Sequence, residues 1–547
     1  MADTNTTDDV GTLGARATGI DAGNDGDADA AGATAGAGVE PAVLINPKTD
    51  IAALAELERH LYAHRYAQIG IACYGSSIDP AAAAADRGEA QAILEEEDQA
   101  LLCSPETGAM LERLSLPHVA ELLTPTQAAE VRVLKRDRSR LVDVPGEVQG
   151  AFTRLVSESD DVWRRAKAAN DWESFEPYLD RVVHQMVDIA GFRDPQRNPY
   201  DVWLDDFEHG TDRAFYDAFF AQVKGVVVPL LAEIASKGWQ PDRSVIEGKF
   251  DEGRQWELAR DLMDLEGLDK RTVFLTSTEH PFSDALTTNY GIIAAHVYPE
   301  DVISNVFTML HEGGHALYET GVDPSYDYTV LKGGTSSGIH EAQSRFFENY
   351  VGRSRAFAPH LLAAMAKHFR GQLGRVTPNQ FYQATNRAEG TPVRVEADEL
   401  TYPLHILIRY EIEQELFSGE ATAADVPTLW KQRYKDYLGV DVVDYTHGCL
   451  QDTHWADGLF GYFPTYALGG AYGAQMRHRM IDEGMDFEGL LAQGDLSPIS
   501  AWLKDRIWKY GRSKDPDDLI ASACGEPFDA RYYTDYLVEK FSALYGL

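Results

Sequence analysis

The sequence Val306-Phe-Thr-Met-Leu-His-Glu-Gly-Gly-His-Ala-Leu-Tyr-Glu319 contains the pattern His-Glu-x-x-His, which is typical of zinc hydrolases. Apolar residues recur at helical spacing on both sides of the pattern and predict a helix. Residues four positions apart lie on one helix face, so His311 and His315 can bind the same metal ion. Glu312 lies beside them, where a carboxylate can act as general base on the water that the metal activates.

Two features of this helix bear on that interpretation. In a chain with 16 His, a chance match to the pattern is the competing explanation, and the apolar flanks disfavour it. Gly313 and Gly314 are poor helix formers, each costing about 1 kcal/mol relative to Ala. Their position beside the predicted ligands indicates close approach by another backbone or by a substrate.

A zinc ion held by two His side chains needs a third protein ligand. A second helix is predicted over 339–349, after a Gly- and Ser-rich loop whose hydroxyl groups can cap it. Glu341, near the start of this helix, is the predicted third ligand. Because Glu341 shares a helix face with Arg345 and Glu348, an ordinary intrahelical charge ladder remains the alternative.

Two downstream clusters carry further candidate site residues. Arg394 interrupts an otherwise apolar run, and a buried guanidinium can bind a substrate carboxylate through two N–H groups. A structural salt bridge is the alternative for that residue. Gln451, Asp452 and His454 lie close together before an aromatic loop that ends at Tyr466. Imidazole and phenol groups suit an oxyanion, although core packing explains such a cluster equally well.

The composition limits the classes of function. The chain has 547 residues, of which 44% are hydrophobic and 25% charged, as in a globular protein with a large core. A net charge of −38 argues against binding to nucleic acids or anionic membranes. Four well-separated cysteines, no basic leader before an apolar core and no run of 18 apolar residues predict a soluble cytoplasmic protein.

The pattern along the chain predicts a mainly α-helical fold. Residues 1–44 are rich in Asp, Gly, Ala and Thr, and predict a disordered acidic tail. Amphipathic runs separated by Pro- or Gly-bearing breaks follow at 51–69, 80–101, 106–123, 126–141, 147–170 and 172–190. One strand is predicted over Arg271–Thr276, with residues 294–298 as its partner. Residues 45–547 are therefore predicted to form a single helical unit.

Several blocks in order make the chain similar to the carboxypeptidase Taq family of metallocarboxypeptidases. They are His280-Pro281-Phe282, His311-Glu312-x-x-His315, His340-Glu341 followed by Gln343-Ser344-Arg345, Val393-Arg394-x-x-Ala397-Asp398, Gly448-x-x-Gln451-Asp452-x-His454-Trp455, and the Tyr-Phe-Pro-Thr-Tyr loop that ends at Tyr466. The resemblance extends from about residue 47 to the C-terminus.

The resemblance implies a large helical zincin-type peptidase with a deep substrate groove and a small β element. Residues 45–270 would cover the groove and 271–547 would form the catalytic region. The implied enzyme is a zinc-dependent carboxypeptidase that removes C-terminal residues from peptides with broad preference. Cobalt can replace the zinc, and the enzyme is usually a homodimer. The implied roles are metal binding by His311, His315 and Glu341, water activation by Glu312, transition-state stabilisation by His454 and Tyr466, terminal-carboxylate binding by Arg394, and a further contribution to substrate binding by His280, Gln451 and Asp452.

One block departs from the family pattern. Tyr290-Gly-Ile-Ile-Ala294 stands where the family carries Asp-x-Arg-x-Thr, and the nearby Asp284–Thr288 also lacks the Arg. The predicted metal ligands are unaffected, but the residues that bind the substrate are expected to differ. Two alternatives therefore stay open: a zinc oligopeptidase or dipeptide-releasing peptidase, and a non-catalytic helical protein with structural zinc. Glu312 argues against the second, since a structural zinc site does not require that carboxylate.

Overall fold

A computed structural model describes residues 46–77, 84–278 and 281–547 of the chain. The helices before the sheet are α1 (Pro47–Ser77), α2 (Ala84–Cys103), α3 (Pro105–Leu114), α4 (Pro117–Ala120), α5 (Pro125–Ser139), α6 (Gly146–Ala169), α7 (Trp172–Arg193), α8 (Pro199–Phe207), α9 (Arg213–Ser236) and α10 (Glu252–Glu266). The strands are β1 (Val273–Ser277), β2 (Phe282–Thr287) and β3 (Tyr290–Ala295). The predicted mainly α-helical fold with a small β element is confirmed.

After the sheet, the chain continues with helices of varied length. They are α11 (Val302–Gly321), α12 (Ser337–Arg345), α13 (Ala358–His368), α14 (Arg370–Leu373), α15 (Pro378–Thr385), α16 (Tyr402–Ser418), α17 (Val426–Arg433), α18 (Phe463–Asp482), α19 (Phe487–Gln493), α20 (Ser497–Arg506), α21 (Pro516–Cys524) and α22 (Arg531–Tyr545). π-Helical turns extend α12 over Phe346–Gly352 and α17 over Tyr434–Leu438, and a 3₁₀ segment spans Trp508–Ser513.

The predicted N-terminal helices form where Pro and capping residues allow them to begin. Pro105, Pro117 and Pro125 each stand at the first helical turn, where a missing N–H costs nothing. Thr124 caps α5 through a reciprocal hydrogen-bond pair with Gln127. The run predicted over 106–123 is split at Pro117 into α3 and α4. Residues 80–83 and the predicted tail, 1–44, lie outside the described residues.

The sheet has the order β1-β3-β2, with β1 and β3 parallel and β2 antiparallel to β3. The predicted strand Arg271–Thr276 is β1, but its partner begins at Tyr290 rather than at Ala294. β2 was not predicted, because its sequence shows no alternation of polar and apolar residues. β2 packs against α11 and brings Phe282 and Ser283 to the cavity beside the metal-binding motif.

Glycines allow three helices of the catalytic region to approach closely. A Cβ on Gly314 of α11 would lie 2.8 Å from the Cα of Ser344 in α12. A Cβ on Gly469 of α18 would lie 2.7 Å from the Cβ of Glu341 in α12. The close backbone approach predicted from the double Gly is confirmed at Gly314. α12 is therefore held between α11 and α18 with no room for an added methyl group at either contact.

Gly314→Ala is expected to destabilise the protein by about 1–2 kcal/mol, because an overpacking penalty of about 2–3 kcal/mol at this backbone contact exceeds the roughly 1 kcal/mol that Ala gains in helix propensity. The measurement is the free energy of unfolding in urea. Gly225→Ala in α9 is the matched control, since a Cβ there meets nothing within 4 Å. The control is expected to stabilise the protein by about 0.5–1 kcal/mol. Equal effects of the two changes would contradict the packing argument.

Among the described residues, α9 is the one helix long and apolar enough to cross a membrane by length and composition. In this fold α9 packs against α16 and α22. Its apolar side chains enter the main core, including Phe219, Val223, Val227 and Ile234. Its hydropathy thus matches that of a core helix in a globular protein.

Candidate active site

Three side chains from α11 and α12 converge in a geometry that fits a metal ion. The Oε2 atom of Glu341 lies 3.7 Å from the Nε2 of His311 and 3.5 Å from the Nε2 of His315. A tetrahedral zinc ion with bonds of about 2.0–2.1 Å places its ligand atoms about 3.3 Å apart. Two imidazole nitrogens and one carboxylate oxygen are also the donor set of many catalytic zinc sites. The described residues therefore fit a zinc ion.

Hydrogen bonds at the far side of each imidazole orient the ligand atoms. The Nδ1 of His311 lies 3.0 Å from Oε2 of Glu348. Because a carboxylate only accepts, Nδ1 carries the proton and the Nε2 lone pair of His311 faces Glu341. Such partners orient metal ligands and increase their basicity.

A longer chain of hydrogen bonds orients His315. The Nε2 of His340 lies 2.9 Å from Oε1 of Glu319, so this nitrogen donates. The Nδ1 of His340 then accepts from the Nδ1–H of His315, 2.6 Å away, which leaves the Nε2 of His315 free to bind a metal. Sequence reasoning assigned no role to His340 or Glu319, because α11 and the start of α12 bring them together only in the fold.

Arg345 joins the proposed ligand to a neighbouring carboxylate. Its Nε donates to Oε1 of Glu341 at 2.7 Å and its Nη1 to Oε2 of Glu348 at 2.9 Å. The charge ladder considered as an alternative is therefore present, yet it occupies only one oxygen of Glu341. Although burial acts to raise the pKa of Glu341, Arg345 and His311 lower it below its usual range. The second oxygen therefore belongs to an ionised carboxylate, faces the two imidazoles and has a lone pair that a metal ion could bind.

Glu312 lies between His311 and His315 on α11 and lines a cavity of about 570 Å³. The cavity is also lined by His311, His315 and Glu341. Burial raises the pKa of the Glu312 carboxyl. A carboxylate with a raised pKa is a stronger base, which suits proton transfer near neutral pH.

Tyr466 and His454 form a hydrogen-bonded pair at the same cavity. Tyr466, in the first turn of α18, lines the cavity, and His454 Nε2 lies 3.2 Å from its hydroxyl oxygen. His454 packs against Phe463 at a ring-centroid distance of 4.4 Å. Burial lowers the pKa of His454 to about 3, so the imidazole is neutral at physiological pH. Burial also raises the pKa of Tyr466, so its phenol keeps its proton.

Arg394 is buried and paired with a carboxylate. Its Nε donates to Oδ1 of Asp452 at 2.9 Å and its Nη1 to the hydroxyl of Tyr402 at 3.0 Å. The guanidinium lies 5.2 Å from the ring centroid of Tyr466, on which it packs. The structural salt bridge is therefore present, and Arg394 also contacts a side chain that lines the cavity.

Gln451 and Asp452 connect Arg394 to the rest of the fold. The amide oxygen of Gln451 accepts from the backbone N–H of Arg394 at 2.7 Å and from Nη2 of Arg409 at 2.9 Å. Asp452 lies between the two guanidinium groups, with Arg409 Nη2 2.6 Å from its Oδ2. His280 lies outside the described residues, although Pro281 immediately after it lines the cavity.

With this geometry established, comparison with known proteins identifies the family. A family model described as carboxypeptidase Taq (M32) metallopeptidase matches residues 75–541. The chain belongs to the M32 family. It is 37% identical over 417 residues to carboxypeptidase 1 of Bacillus subtilis, which covers 76% of this chain and 83% of the relative. It is 35% identical over 454 residues to thermostable carboxypeptidase 1 of Thermus thermophilus, which covers 81% and 89%.

Solved structures of M32 carboxypeptidases share the fold. The crystal structure of the enzyme from Deinococcus radiodurans is similar with a TM-score of 0.87 and 31% identity, over 91% of this chain and 100% of that chain. A structure of the Pyrococcus furiosus carboxypeptidase is similar with a TM-score of 0.87 and 30% identity, over the same shares. The resemblance inferred from the sequence motifs is thus confirmed, and the protein is a metallocarboxypeptidase and a peptide hydrolase.

In this M32 carboxypeptidase, the block predicted to depart from the family pattern lies on the central strand. Gly291–Ala295 of β3 are buried between β1 and β2, so the residues at the departing block form sheet core. The arginines that line the cavity come from other elements: Arg136 in α5, Arg140 immediately after α5, and Arg512 in the 3₁₀ segment. Sequence reasoning missed these three arginines, because each reads as the polar face of an amphipathic helix or as part of a loop.

Proposed function

We propose that this M32 enzyme is a zinc-dependent carboxypeptidase that removes single residues from the C-terminus of peptides with broad preference. The observation that carries the proposal is the convergence of His311, His315 and Glu341 beside Glu312 in one cavity. When bound there, zinc would polarise the scissile carbonyl and lower the pKa of a water molecule. Cobalt, which takes the same N and O donors, would substitute for it.

Glu312 is the proposed general base and acid. Its carboxylate would take a proton from the attacking water and deliver it to the leaving amine. His454 is the proposed positioning residue for Tyr466. With its proton on Nε2, the neutral imidazole would donate to the Tyr466 oxygen, so that the phenol proton points away from His454. That O–H would then donate to the oxygen on which negative charge develops.

Arg394 is the proposed binding residue for the terminal carboxylate. Of its five N–H donors, the Nε–H and one on Nη1 have hydrogen-bond partners, and Nη2 lies 2.8 Å from Asp452. One N–H on each terminal nitrogen is left over, which matches the two oxygens of a carboxylate. We assign to Gln451 and Asp452 an indirect part in substrate binding, through their hold on Arg394. His280 keeps its assignment as a substrate-binding residue beside Pro281.

The setting of the enzyme is also proposed. We infer a cytoplasmic homodimer with no nucleic-acid or membrane partner. The net charge of −38 supports the absence of anionic partners, and the family resemblance supports the dimer. Cys103, Cys449 and Cys524 form no disulfide, as expected in a reducing compartment. Light scattering coupled to gel filtration tests the dimer, for which a mass near twice 60.6 kDa is expected.

A pair of peptides that differ only at the C-terminus tests the activity. The zinc-loaded enzyme is expected to release residues one at a time from the free-acid peptide and to cleave the amidated peptide at least about 100-fold more slowly, because the amide offers no carboxylate to a guanidinium. Mass spectrometry of the products measures both. Cleavage of the two peptides at equal rates would favour an oligopeptidase, and release of dipeptides would favour a dipeptide-releasing enzyme.

A further inference from the structure

The cavity beside the metal-binding residues has a positively charged wall. Arg136 lies in the last turn of α5, Arg140 follows the helix immediately, and Arg512 lies in the 3₁₀ segment Trp508–Ser513. We refer to these three side chains as the cavity arginines. None of them has a part in the mechanism proposed above, and none lies in the sequence blocks on which the family resemblance was based.

The aspartates that neutralise the cavity arginines are shared with other arginines. Five guanidinium groups share three carboxylates. The pairs are Arg136 and Arg132 with Asp515, at 2.9 and 3.5 Å, Arg140 and Arg193 with Asp206, at 2.9 and 2.5 Å, and Arg512 with Asp137, at 2.9 Å. Two positive charges in this network thus have no carboxylate of their own.

Arg136 also has a nitrogen atom that lacks a hydrogen-bond partner among the described residues. Its side chain is 10% exposed, and its Nε is buried with no hydrogen-bond partner among the residues that the structure describes. Burial and the neighbouring Arg512 guanidinium lower the pKa of Arg136. Since Nε is inaccessible, a ligand in the cavity would be bound by the terminal nitrogens of Arg136, of which Nη1 also donates to Asp515.

The acidic side chains that line the cavity do not balance the remaining positive charge of these arginines. Asp206 already binds two arginines, Glu341 is directed at the two His ligands, and Glu312 lies beside them on α11. Arg512 also lines a second cavity of about 690 Å³, which is bordered by α1, α2, α5 and α6. A peptide that extends from the metal-binding residues toward this second cavity would pass the cavity arginines.

We propose that the cavity arginines form a carboxylate subsite that favours peptides with an acidic side chain near the scissile bond. The proposal rests on the proposed peptidase function. Guanidinium groups bind carboxylates through two parallel N–H···O bonds. When Arg394 holds the terminal carboxylate of a peptide, a side-chain carboxylate of the same peptide remains available to the cavity arginines. The preference would be local, since the net charge of −38 repels acidic peptides at longer range.

Peptide binding to the zinc-loaded Glu312→Gln protein tests the subsite without turnover. Three kinds of peptide of equal length, all blocked at the N-terminus, are compared by calorimetry. The first is an Ala peptide with an amidated C-terminus and one Glu, which is placed at each position in turn. The other two are Ala peptides without Glu, one with a free C-terminus and one with an amidated C-terminus. Adding Arg136→Gln is expected to weaken binding of the best Glu peptide by at least about 10-fold. The amidated Ala peptide, which has no carboxylate, is expected to change less than about 2-fold.

Arg132→Gln is the matched control, because Arg132 shares Asp515 with Arg136 but does not line the cavity. It is expected to change the affinity for the Glu peptide less than about 2-fold. Arg140→Gln and Arg136→Lys provide second variants if Arg136→Gln lowers the melting temperature. The lysine keeps the charge but loses the two-donor geometry, so it is expected to give a smaller loss than Gln.

The outcomes separate the sources of the carboxylate. A loss confined to the Glu peptides supports the subsite with an acidic side chain as its ligand. A loss confined to the free-end Ala peptide would overturn it, because the cavity arginines would then bind the terminal carboxylate that is assigned to Arg394. Equal affinities before and after the change, or an equal loss for all three peptides, would overturn it. Failure of the wild-type enzyme to release C-terminal residues would contradict the proposed function alone, since binding here does not require turnover.

Discussion

Glu312→Gln is expected to lower kcat on a free-end peptide by about 10²- to 10⁴-fold, the usual contribution of a positioned general base. The two side chains have nearly the same volume, so the buried site is expected to keep its packing. Glu312 is not one of the three proposed ligands, so bound zinc is expected to stay near one ion per chain. The measurements are steady-state kinetics and elemental analysis of the dialysed protein.

Glu300→Gln is the control for this change. It removes the same charge at an exposed position just before α11 and is expected to leave kcat within about 2-fold of the wild type. Retention of more than a tenth of the wild-type kcat by Glu312→Gln would refute the assignment of the base. Loss of zinc from that variant would mean that Glu312 is a ligand instead.

Glu341→Gln is expected to weaken zinc binding by more than about 100-fold, beyond the 10- to 100-fold that outer partners of metal ligands contribute. The amide removes the ionised oxygen that faces His311 and His315, and it leaves Arg345 with Glu348 as its remaining acidic partner. Competition with a chelator measures the affinity directly. The shift in melting temperature with added zinc measures it again without any substrate.

Glu348→Gln distinguishes a ligand from a member of a charge ladder. Glu348 contacts Arg345 as Glu341 does, but it meets His311 at Nδ1, away from the metal-facing nitrogen. Its change is expected to weaken zinc binding by about 10- to 100-fold. If Glu341→Gln and Glu348→Gln gave equal small losses, the third ligand would have to be sought elsewhere.

The metal-binding helix could be predicted from the sequence because its information is local. The spacing of His311 and His315 and the apolar residues around them require only helical periodicity. Glu341 was predicted as a ligand because the usual coordination of zinc requires a third one, and the fold places its carboxylate within 3.7 Å of both imidazoles. Gly314 was also informative, because a Gly in a buried helix indicates that another backbone approaches the helix closely at that position.

The remaining features depend on contacts between distant segments. The chain His315, His340, Glu319 forms only when α12 packs on α11. β2 shows no strand periodicity and is stabilised by its pairing with β3. Arg394 illustrates the limit most clearly: the sequence left open a substrate ligand or a salt bridge, and in the fold its guanidinium pairs with Asp452 and still touches Tyr466. The cavity arginines have no sequence signal, because ordinary surface helices carry arginines at the same spacing.

The packing of α12 between Gly314 and Gly469 has a consequence for laboratory evolution of this enzyme. Positions that fix the ligand geometry tolerate almost no change of volume, so libraries there will yield mostly unfolded or metal-free variants. Arg136 and Arg140 lie at the end of α5 and just after it, and α5 packs against α2, α3 and the 3₁₀ segment. Arg512 lies in the 3₁₀ segment itself, whose Trp508 donates a hydrogen bond to Gln343 of α12. If the proposed subsite governs substrate preference, positions 136 and 140 are therefore the ones to randomise, because changes there leave the packing of α12 between Gly314 and Gly469 intact.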